Sequence, residues 1–352
     1  MPKVPIRPSV ESLPRYQAGA RPSGRLVHKL SSNELPYAPL PGVMAAVDAA
    51  AVDANRYPAQ MADELADAIG LVHNVEPGQV AVGAGAIAVL THLLAAVVGE
   101  GDQVVYGWRS FEAYPILAGV AGAQAVTVPL GDGGRLDLPA MAAAVTPRTR
   151  AVLLCSPNNP TGPAIRRDEF EEFMAAVRGD VLVVLDEAYV EFVTDPEAVD
   201  GAGALADHAN LVAVRTFSKA YGLAGMRVGY ALGRTRLIDA VKAVTTPFSV
   251  TAMAERAAVY SLQQAEALRE RIAGVVETRA FMAEGLRAQG WDVPDPQGNF
   301  VWLDLGVDAE AFSGACARAG LLVRPFAGEG VRVSAGERFA AERFLEVAAT
   351  WV

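Results

Sequence analysis

Seven short apolar segments alternate with amphipathic segments between residues 79 and 233. Each apolar segment is rich in Val or Leu, whereas stretches such as AIAVLTHLLAAVV have the periodicity of helices. Because parallel strands are joined by helical crossovers, this alternation predicts an α/β fold with a mainly parallel seven-stranded sheet sandwiched by helices. The predicted strands are QVAVG (79–83), QVVYG (103–107), AVTVPL (125–130), RAVLLCS (150–156), VLVVLDEAY (181–189), LVAVRTFS (211–218) and RVGYALG (227–233).

The alternation stops near Thr251. A long helical stretch over residues 251–289 leads into the strand-like segment NFVWLDL and then into a helix–strand–helix pattern. This change predicts a second, smaller α+β domain. We therefore expect an N-terminal arm (1–33) that packs with the small domain, a large domain (34–250) and the small domain itself (251–352).

Composition limits the kinds of partner that the chain binds. Its 352 residues are 52% hydrophobic and 20% charged, which is typical of a globular protein, and its net charge of −10 argues against a nucleic-acid-binding surface. The two cysteines, Cys155 and Cys316, are too few for a disulfide framework and lack neighbours at metal-ligand spacing, so we expect no metal. No segment resembles a signal peptide or a membrane span, and we expect a cytoplasmic protein.

Polar or glycine-rich residues follow four of the predicted strands. They are GAGA (83–86), SPNNPTG (156–162), DEAY (186–189) and TFSK (216–219). Ligands of open parallel sheets bind beyond the carboxyl ends of the strands, so we expect these four segments to converge on one cleft.

Within these segments, Asp186 and Lys219 are unusual because each follows a strongly apolar run. A buried charge is costly without a partner, although a lone Asp could cap a helix and a lone Lys could extend its amine to solvent. Together with the Asn-Asn loop, the hydroxyls of Thr216 and Ser218, and Arg227, they match the needs of pyridoxal phosphate. The aldehyde of this cofactor requires an amine, and its ring nitrogen requires a carboxylate. Its phosphate group requires protein hydroxyls, backbone amides and a guanidinium.

The motifs that carry these residues also resemble a known family. SPNNPTG, LDEAYVEF and RTFSKAYGLAGMRVGY, in this order and spacing, are similar to the signature of fold-type I, pyridoxal-phosphate-dependent aminotransferases. KLSSNELPY, NRYP and NFVWL resemble the histidinol-phosphate aminotransferase branch. The resemblance runs from about Pro14 to Val333. It implies the large domain of fold type I, small-molecule amino acid and 2-oxo acid substrates, a homodimer, and neither nucleic-acid nor membrane partners.

The resemblance also implies roles for individual residues. Lys219 would hold the cofactor as an aldimine, and Asp186 would pair with its pyridinium nitrogen; with Tyr189 these are the expected catalytic residues. The remaining cofactor contacts would be Asn159 and Tyr189 at the phenolate oxygen, Phe111 stacked on the ring, and Thr216, Ser218, Arg227 and the amides of Gly85, Ala86 and Ile87 at the phosphate. Tyr57 would reach the phosphate of a neighbouring subunit. Tyr16, Asn159, Arg324 and Arg332 would contact the substrate, with Arg332 on its α-carboxylate.

The expected substrate depends on two departures from the histidinol-phosphate enzymes. Many of those enzymes have an acidic pair after the glycine turn, where this chain has Ile87 and Ala88, and GWRSFEAYP replaces a Pro-Thr-aromatic run. Both departures resemble the aromatic amino acid aminotransferases, so we expect transamination of Phe, Tyr or Trp with 2-oxoglutarate. Histidinol-phosphate transamination is the alternative, because Arg324 could bind either its phosphate or the distal carboxylate of glutamate. A non-catalytic cofactor-binding sensor module and a decarboxylase of the same fold are further alternatives.

Overall fold

The structure is a computed structural model that describes residues 4–16, 19 and 27–351. Its strands are β1 (His28–Lys29), β2 (Val80–Gly83), β3 (Gln103–Trp108), β4 (Gln124–Pro129), β5 (Thr149–Cys155), β6 (Leu182–Asp186), β7 (Leu211–Thr216), β8 (Gly229–Gly233), β9 (Phe300–Asp304), β10 (Leu321–Leu322), β11 (Arg324–Phe326) and β12 (Gly330–Ser334). Its α-helices are α1 (Pro8–Glu11), α2 (Val43–Ala51), α3 (Asp63–His73), α4 (Ala86–Val97), α5 (Tyr114–Val120), α6 (Leu138–Ala143), α7 (Arg167–Ala176), α8 (Gly201–Ala204), α9 (Thr235–Val244), α10 (Ala252–Leu262), α11 (Ala265–Ala288), α12 (Ala309–Arg318) and α13 (Arg338–Ala348).

A seven-stranded sheet with the order β2-β8-β7-β6-β5-β3-β4 forms the centre of the molecule. The neighbouring pairs from β7 to β4 are parallel, and β8 runs antiparallel to both β7 and β2. Each predicted apolar segment overlaps one of these strands, which confirms the predicted fold class. The central strands β6, β7 and β8 are buried along their whole length, which explains their nearly continuous Val, Leu and Ala sequences.

Helices cover both faces of this sheet. Alternate residues of β5 belong to different hydrophobic clusters, Ala151 and Leu153 to one and Val152 and Leu154 to the other. Leu94 of α4 and Ile238 of α9 pack in the first cluster, while side chains of α3, α6 and α7 pack in the second. Because successive side chains of a strand point to opposite faces, alternate residues of β5 pack against two separate layers of helices.

The predicted long helical stretch over residues 251–289 is two helices. Gln264 has φ −99° and ψ 43°, outside the helical region, and it separates α10 from α11. The two helices pack differently: α10 lies against α2 and α3, whereas α11 lies against α13 and β9. The division between large and small domains therefore stays a prediction.

A three-stranded antiparallel sheet, β11-β12-β9, lies after these helices. Its register places Arg324 directly opposite Arg332, so that the two arginine side chains share one face. Ahead of the large sheet, β1 pairs in parallel with β10 near the end of the chain, at His28 with Leu321. A segment that precedes the large sheet in the sequence therefore pairs with a segment that follows it.

Candidate active site

A cavity of about 330 Å³ lies at the carboxyl ends of β5, β6 and β7. This is the edge of the sheet where the sequence predicted a cleft. Eleven of the predicted site residues line it: Tyr16, Ala86, Ile87, Phe111, Asn159, Asp186, Tyr189, Thr216, Ser218, Lys219 and Arg227. Ser32, Glu34, Cys155, Ala188 and Ala224 complete the lining. Among the described residues, no group of three or more His, Cys, Asp or Glu side chains is placed to hold a metal ion.

Asp186 is the last residue of β6 and is almost completely buried. Its Oδ2 accepts a hydrogen bond of 2.9 Å from the hydroxyl of Tyr114, and its Oδ1 a longer one of 3.3 Å from the N–H of Ala188. Burial raises the pKa of Asp186 to about 6, although both hydrogen bonds oppose this change. Asp186 has no ion pair with any residue that the structure describes. Burial makes the ionised form costly, and among those residues the only charge that favours it is that of Lys219, whose effect is small.

Lys219 follows β7 on the other side of the cavity. Its Nζ donates a hydrogen bond of 3.0 Å to the carbonyl of Ser32 and lies 5.6 Å from the centre of the Tyr189 ring. Burial lowers the pKa of the Lys219 amine to about 7, and the positive charge of Arg332 lowers it further. A large share of this amine is therefore neutral near pH 7, which is the form that attacks a carbonyl carbon.

One end of the cavity is lined by the residues that the sequence assigned to a phosphate. Arg227, with φ 57°, directs Nη1 to the hydroxyl of Ser218 at 3.1 Å, and Thr216 accepts from the Ser218 N–H at 3.1 Å. The first turn of α4 faces the same end, since Ala86 and Ile87 line the cavity. Helix N-termini present N–H groups and a positive dipole to anions.

Two glycines allow these groups to come close together. A Cβ on Gly85, which has φ 88°, would lie 2.5 Å from Nη2 of Arg227. A Cβ on Gly229 would lie 2.4 Å from the backbone nitrogen of Ala86. The close approach of Arg227 to Gly85, and of β8 to the start of α4, therefore requires glycine at both positions.

Arg332 and Arg324 lie where a substrate carboxylate would enter. Arg332 is buried, donates from Nη1 to Oδ1 of Asn159 and from Nη2 to the Ser31 carbonyl at 2.8 Å, and its Nε has no hydrogen-bond partner among the described residues. Burial lowers the pKa of Arg332, so a bound carboxylate would relieve an uncompensated charge. Arg324, on the neighbouring strand, donates to both carboxylate oxygens of Glu112 at 3.0 Å.

Aromatic side chains surround the middle of the cavity. Phe111 contacts Tyr16 edge-on, with ring centres 6.4 Å apart, and Tyr114 at 5.7 Å. The hydroxyl of Tyr189 accepts a hydrogen bond of 3.0 Å from Asn33. Burial raises the pKa of Tyr189, which keeps it a neutral phenol that can donate to an oxygen anion. The expected stacking of Phe111 on a ring stays a prediction.

Tyr57 is the one predicted site residue that lies far from this arrangement. Its side chain is 84% exposed, and its ring packs on Phe248 with 4.9 Å between the ring centres. The sequence motif assigned Tyr57 to the site of another subunit, and an exposed position is what that assignment requires.

Tyr114 and Glu112 are not among the residues predicted from the sequence motifs. Both lie in FEAYP, next to the predicted Phe111, and Tyr114 follows Phe111 by three residues. The rings of Phe111 and Tyr114 are in contact, with centres 5.7 Å apart, but Phe111 precedes α5 and the sequence carries no helical signal that links the pair.

The residues of the cavity fit pyridoxal phosphate. A buried carboxylate without an ion pair matches the ring nitrogen, and a partly neutral lysine matches the aldehyde. The hydroxyls of Thr216 and Ser218 and the guanidinium of Arg227 match the phosphate. A sheet of this topology with such a cavity at its carboxyl edge is typical of the fold-type I aminotransferases.

Comparison with known proteins agrees with the class that the fold and the cavity define. The chain matches the family Aminotransferase class I and II over residues 26–347, and it belongs to this family. The predicted family and enzyme class are thereby confirmed.

Individual relatives extend this comparison. The chain is 49% identical to the aromatic amino acid aminotransferase of Streptomyces coelicolor over 97% of this chain and 96% of the relative, and 49% identical to that of Thermobifida fusca over 98% and 97%. Among solved structures, the histidinol-phosphate aminotransferase of Sinorhizobium meliloti, in complex with pyridoxal 5'-phosphate, superposes with a TM-score of 0.88 at 27% identity, over 99% of this chain and 98% of that one.

Proposed function

We propose that this protein is a pyridoxal-phosphate-dependent aminotransferase that exchanges amino groups between aromatic amino acids and 2-oxoglutarate. One observation carries the proposal: Asp186, a buried carboxylate without a cation, lines the same cavity as the partly neutral amine of Lys219. The family assignment supports the reaction, and the names of the relatives from Streptomyces and Thermobifida support the substrate class.

Several residues would hold the cofactor. Asp186 would bind the ring nitrogen, and Asn159 and Tyr189 the phenolic oxygen. Thr216, Ser218, Arg227 and the first turn of α4 would bind the phosphate. When bound, pyridoxal phosphate supplies an aldehyde carbon that carries the amino group and a protonated ring that withdraws electrons from the substrate Cα–H bond.

Lys219 would serve as the proton carrier. Because burial holds its pKa near 7, its Nζ accepts a proton from the substrate Cα and releases it again with little free-energy cost at neutral pH. Asp186 would place a negative charge at the ring nitrogen, which would favour its protonated form. The carboxylate is fixed to the sheet at the end of β6, which prevents it from turning away.

Arg332 would fix the orientation of the substrate. Its guanidinium lies between Asn159 and the Ser31 carbonyl, and a bidentate contact with the α-carboxylate would hold Cα at a defined distance from Lys219. Its burial excludes water from that contact, which strengthens it.

The side-chain end of the cavity favours an aromatic substrate. Ile87, Phe111 and Tyr16 supply apolar and aromatic surface. Arg324 is paired with Glu112 at 3.0 Å. A phosphate dianion would have to separate that pair or place its charge beside the Glu112 carboxylate, and both are costly. This ion pair is therefore an argument against histidinol phosphate, which Arg324 alone would have favoured.

We also propose that the protein acts as a homodimer in the cytoplasm. Several large apolar side chains are exposed, among them Met44, Val52, Tyr57 and Phe248, and the rings of Tyr57 and Phe248 are in contact. Such exposure is typical of a surface that another chain covers. Both cysteines are free and buried, which suits a reducing compartment. Among the described residues, no helix has the length and hydropathy needed to cross a membrane.

Steady-state kinetics test the proposed substrate. Phe, Tyr, Trp and histidinol phosphate are compared as amino donors with 2-oxoglutarate as acceptor. We expect kcat/KM for the best aromatic donor to exceed that for histidinol phosphate by about tenfold or more, the range of pocket-level discrimination. A preference for histidinol phosphate would overturn the substrate assignment. Cofactor binding without release of a 2-oxo acid would indicate a sensor module, and release of carbon dioxide a decarboxylase.

A further inference from the structure

Tyr114 is the only side chain in the described structure that donates a hydrogen bond to Asp186. The hydroxyl lies 2.9 Å from Oδ2, and both residues are almost inaccessible to water, at 0% and 3% exposure. The other hydrogen bond to this carboxylate, from the N–H of Ala188, is 3.3 Å long and therefore weaker. None of the roles inferred from the sequence motifs involves Tyr114.

The position of Tyr114 is fixed by packing. It is the first residue of α5, and its ring meets Tyr106 and Phe111 edge-on, with ring centres 5.7 Å away in both cases. Burial raises the pKa of Tyr114 well above that of a free tyrosine, and the neighbouring Asp186 charge raises it further. The side chain is therefore a neutral phenol, and its hydroxyl is a donor at any physiological pH.

The other titratable groups around Asp186 do not take over this role. They are Cys155, Glu187, Tyr189 and Lys219. Burial raises the pKa of the Cys155 thiol, so it stays uncharged, and Glu187 is paired with Arg215 at 2.8 Å. The charge of Lys219 lowers the pKa of Asp186 only slightly, less than the hydrogen bond from Tyr114 does. Tyr114 is thus the main side chain that favours the ionised form of Asp186.

We propose that Tyr114 is a positioning residue, whose hydroxyl holds Asp186 as an oriented carboxylate so that the proton between Asp186 and the cofactor rests on the ring nitrogen. This inference depends on the proposed function, in which Asp186 faces that nitrogen. A single proton is shared by two bases, the carboxylate oxygen and the ring nitrogen. Removing the Tyr114 hydroxyl makes the carboxylate more basic, which moves the proton toward Asp186 and leaves the ring less able to withdraw electrons.

The test compares the variant Tyr114→Phe with the wild-type protein in two states. Without cofactor, a carbon-13 NMR titration follows the Asp186 carboxyl, whose signal is assigned by its loss in Asp186→Asn. We expect the pKa of this carboxyl to rise by about one pH unit, the usual effect of one hydrogen bond to a charged group. With nitrogen-15-labelled pyridoxal phosphate bound, we expect the ring nitrogen resonance to move from the pyridinium toward the neutral pyridine position. We also expect a decrease in kcat that exceeds any change in KM.

Tyr106→Phe is the matched control, because it removes a hydroxyl from the same buried aromatic group without a contact to Asp186. It should leave both resonances at their wild-type positions. Replacement of Tyr114 by 3-fluorotyrosine keeps the ring almost unchanged and makes its hydroxyl a stronger donor. This replacement should lower the Asp186 pKa, and it serves if Tyr114→Phe does not fold.

The inference is overturned if the Asp186 titration and the ring nitrogen resonance are unchanged in Tyr114→Phe, or if the fluorinated protein shows no shift. Failure of the proposed function looks different. In that case the wild-type protein itself would bind no pyridoxal phosphate or form no 2-oxo acid, whereas the titration without cofactor would still report on the Tyr114–Asp186 pair.

Discussion

Two residues at this site, Asp186 and Arg332, carry charges that are costly to bury. Asp186 is ionised in spite of its burial, and Arg332 has no carboxylate partner among the residues that the structure describes. Under the proposed function, an opposite charge on a bound molecule would meet each of these charges, the ring nitrogen for Asp186 and the substrate carboxylate for Arg332. The site is therefore complementary to its ligands, and these buried charges lower the stability of the protein when the ligands are absent.

The pKa of Lys219 predicts how cofactor uptake depends on pH. Only the unprotonated amine attacks an aldehyde, and the pKa of about 7 means that this form increases as pH rises through 7. Below that pH the rate of pyridoxal phosphate uptake by the cofactor-free protein should fall about tenfold per pH unit. Stopped-flow absorbance measures this rate. A midpoint near the ordinary lysine value of 10.5 would contradict the prediction.

The pair of Glu112 and Arg324 predicts a change in substrate preference. Glu112→Gln removes the charge that compensates Arg324, so a substrate with a distal carboxylate should bind better. We expect the ratio of kcat/KM for glutamate to that for phenylalanine to rise about tenfold, equivalent to about 1.4 kcal/mol. Glu329→Gln is the control. It breaks the ion pair of Glu329 with Arg109 and leaves the pair of Glu112 and Arg324 in place. An unchanged ratio in Glu112→Gln would show that Arg324 does not contribute to side-chain selection.

At the scale of elements, the site depends on how closely strand β8 approaches helix α4. Gly229 pairs with Gly83 of β2 and Thr216 of β7, and it faces the backbone that begins α4. The N–H groups that would receive the phosphate are therefore positioned by the sheet itself and not by a side chain.

Gly229→Ala should damage the phosphate subsite. The added Cβ would lie 2.4 Å from the backbone nitrogen of Ala86. Neither atom can rotate away as a flexible side chain could, so the start of the helix has to move. We expect a loss of about 1–3 kcal/mol in the free energy of unfolding, typical of overpacking, together with weaker retention of pyridoxal phosphate. Thermal denaturation and equilibrium dialysis measure the two effects. Gly179→Ala, where a Cβ meets no atom within 4 Å, is the control. Normal cofactor retention in Gly229→Ala would argue against a phosphate site at this helix.

The sequence was sufficient for the elements that are periodic and fully buried. The predicted strand segments were recognisable because β6, β7 and β8 are apolar on both faces, and Asp186 was recognisable because it interrupts such a run. The break at Gln264 was missed because QQ is compatible with a continuous helix. The contact between Tyr114 and Asp186 joins residues 72 positions apart, and the pair of Glu112 and Arg324 joins residues 212 apart, so local pattern gives no direct signal for either.

At the scale of the whole molecule, the account requires a second chain. Tyr57 is exposed and cannot serve the phosphate site of its own chain from the position described, whereas the motif around it predicts a role in the neighbouring subunit's site. Two copies related by a twofold axis would each complete the other.

A mixture of two inactive variants tests this arrangement. Lys219→Ala and Tyr57→Ala chains are exchanged at random, and sedimentation first establishes that each variant still dimerises. If Tyr57 serves the partner's site, one site in each mixed dimer is intact, and about a quarter of the wild-type activity should return. No recovery in a mixture that contains mixed dimers would place Tyr57 outside the partner's site.

The most direct test of the central claim is chemical. The chain has four lysines, Lys3, Lys29, Lys219 and Lys242. Of the three whose positions the structure describes, Lys219 alone lines the cavity with Asp186. Protein loaded with pyridoxal phosphate is reduced with borohydride, digested and analysed by peptide mass spectrometry. We predict one phosphopyridoxyl group per chain, attached to Lys219. A label on another lysine, or no label at all, would contradict the assignment of this cavity as the site of an aminotransferase.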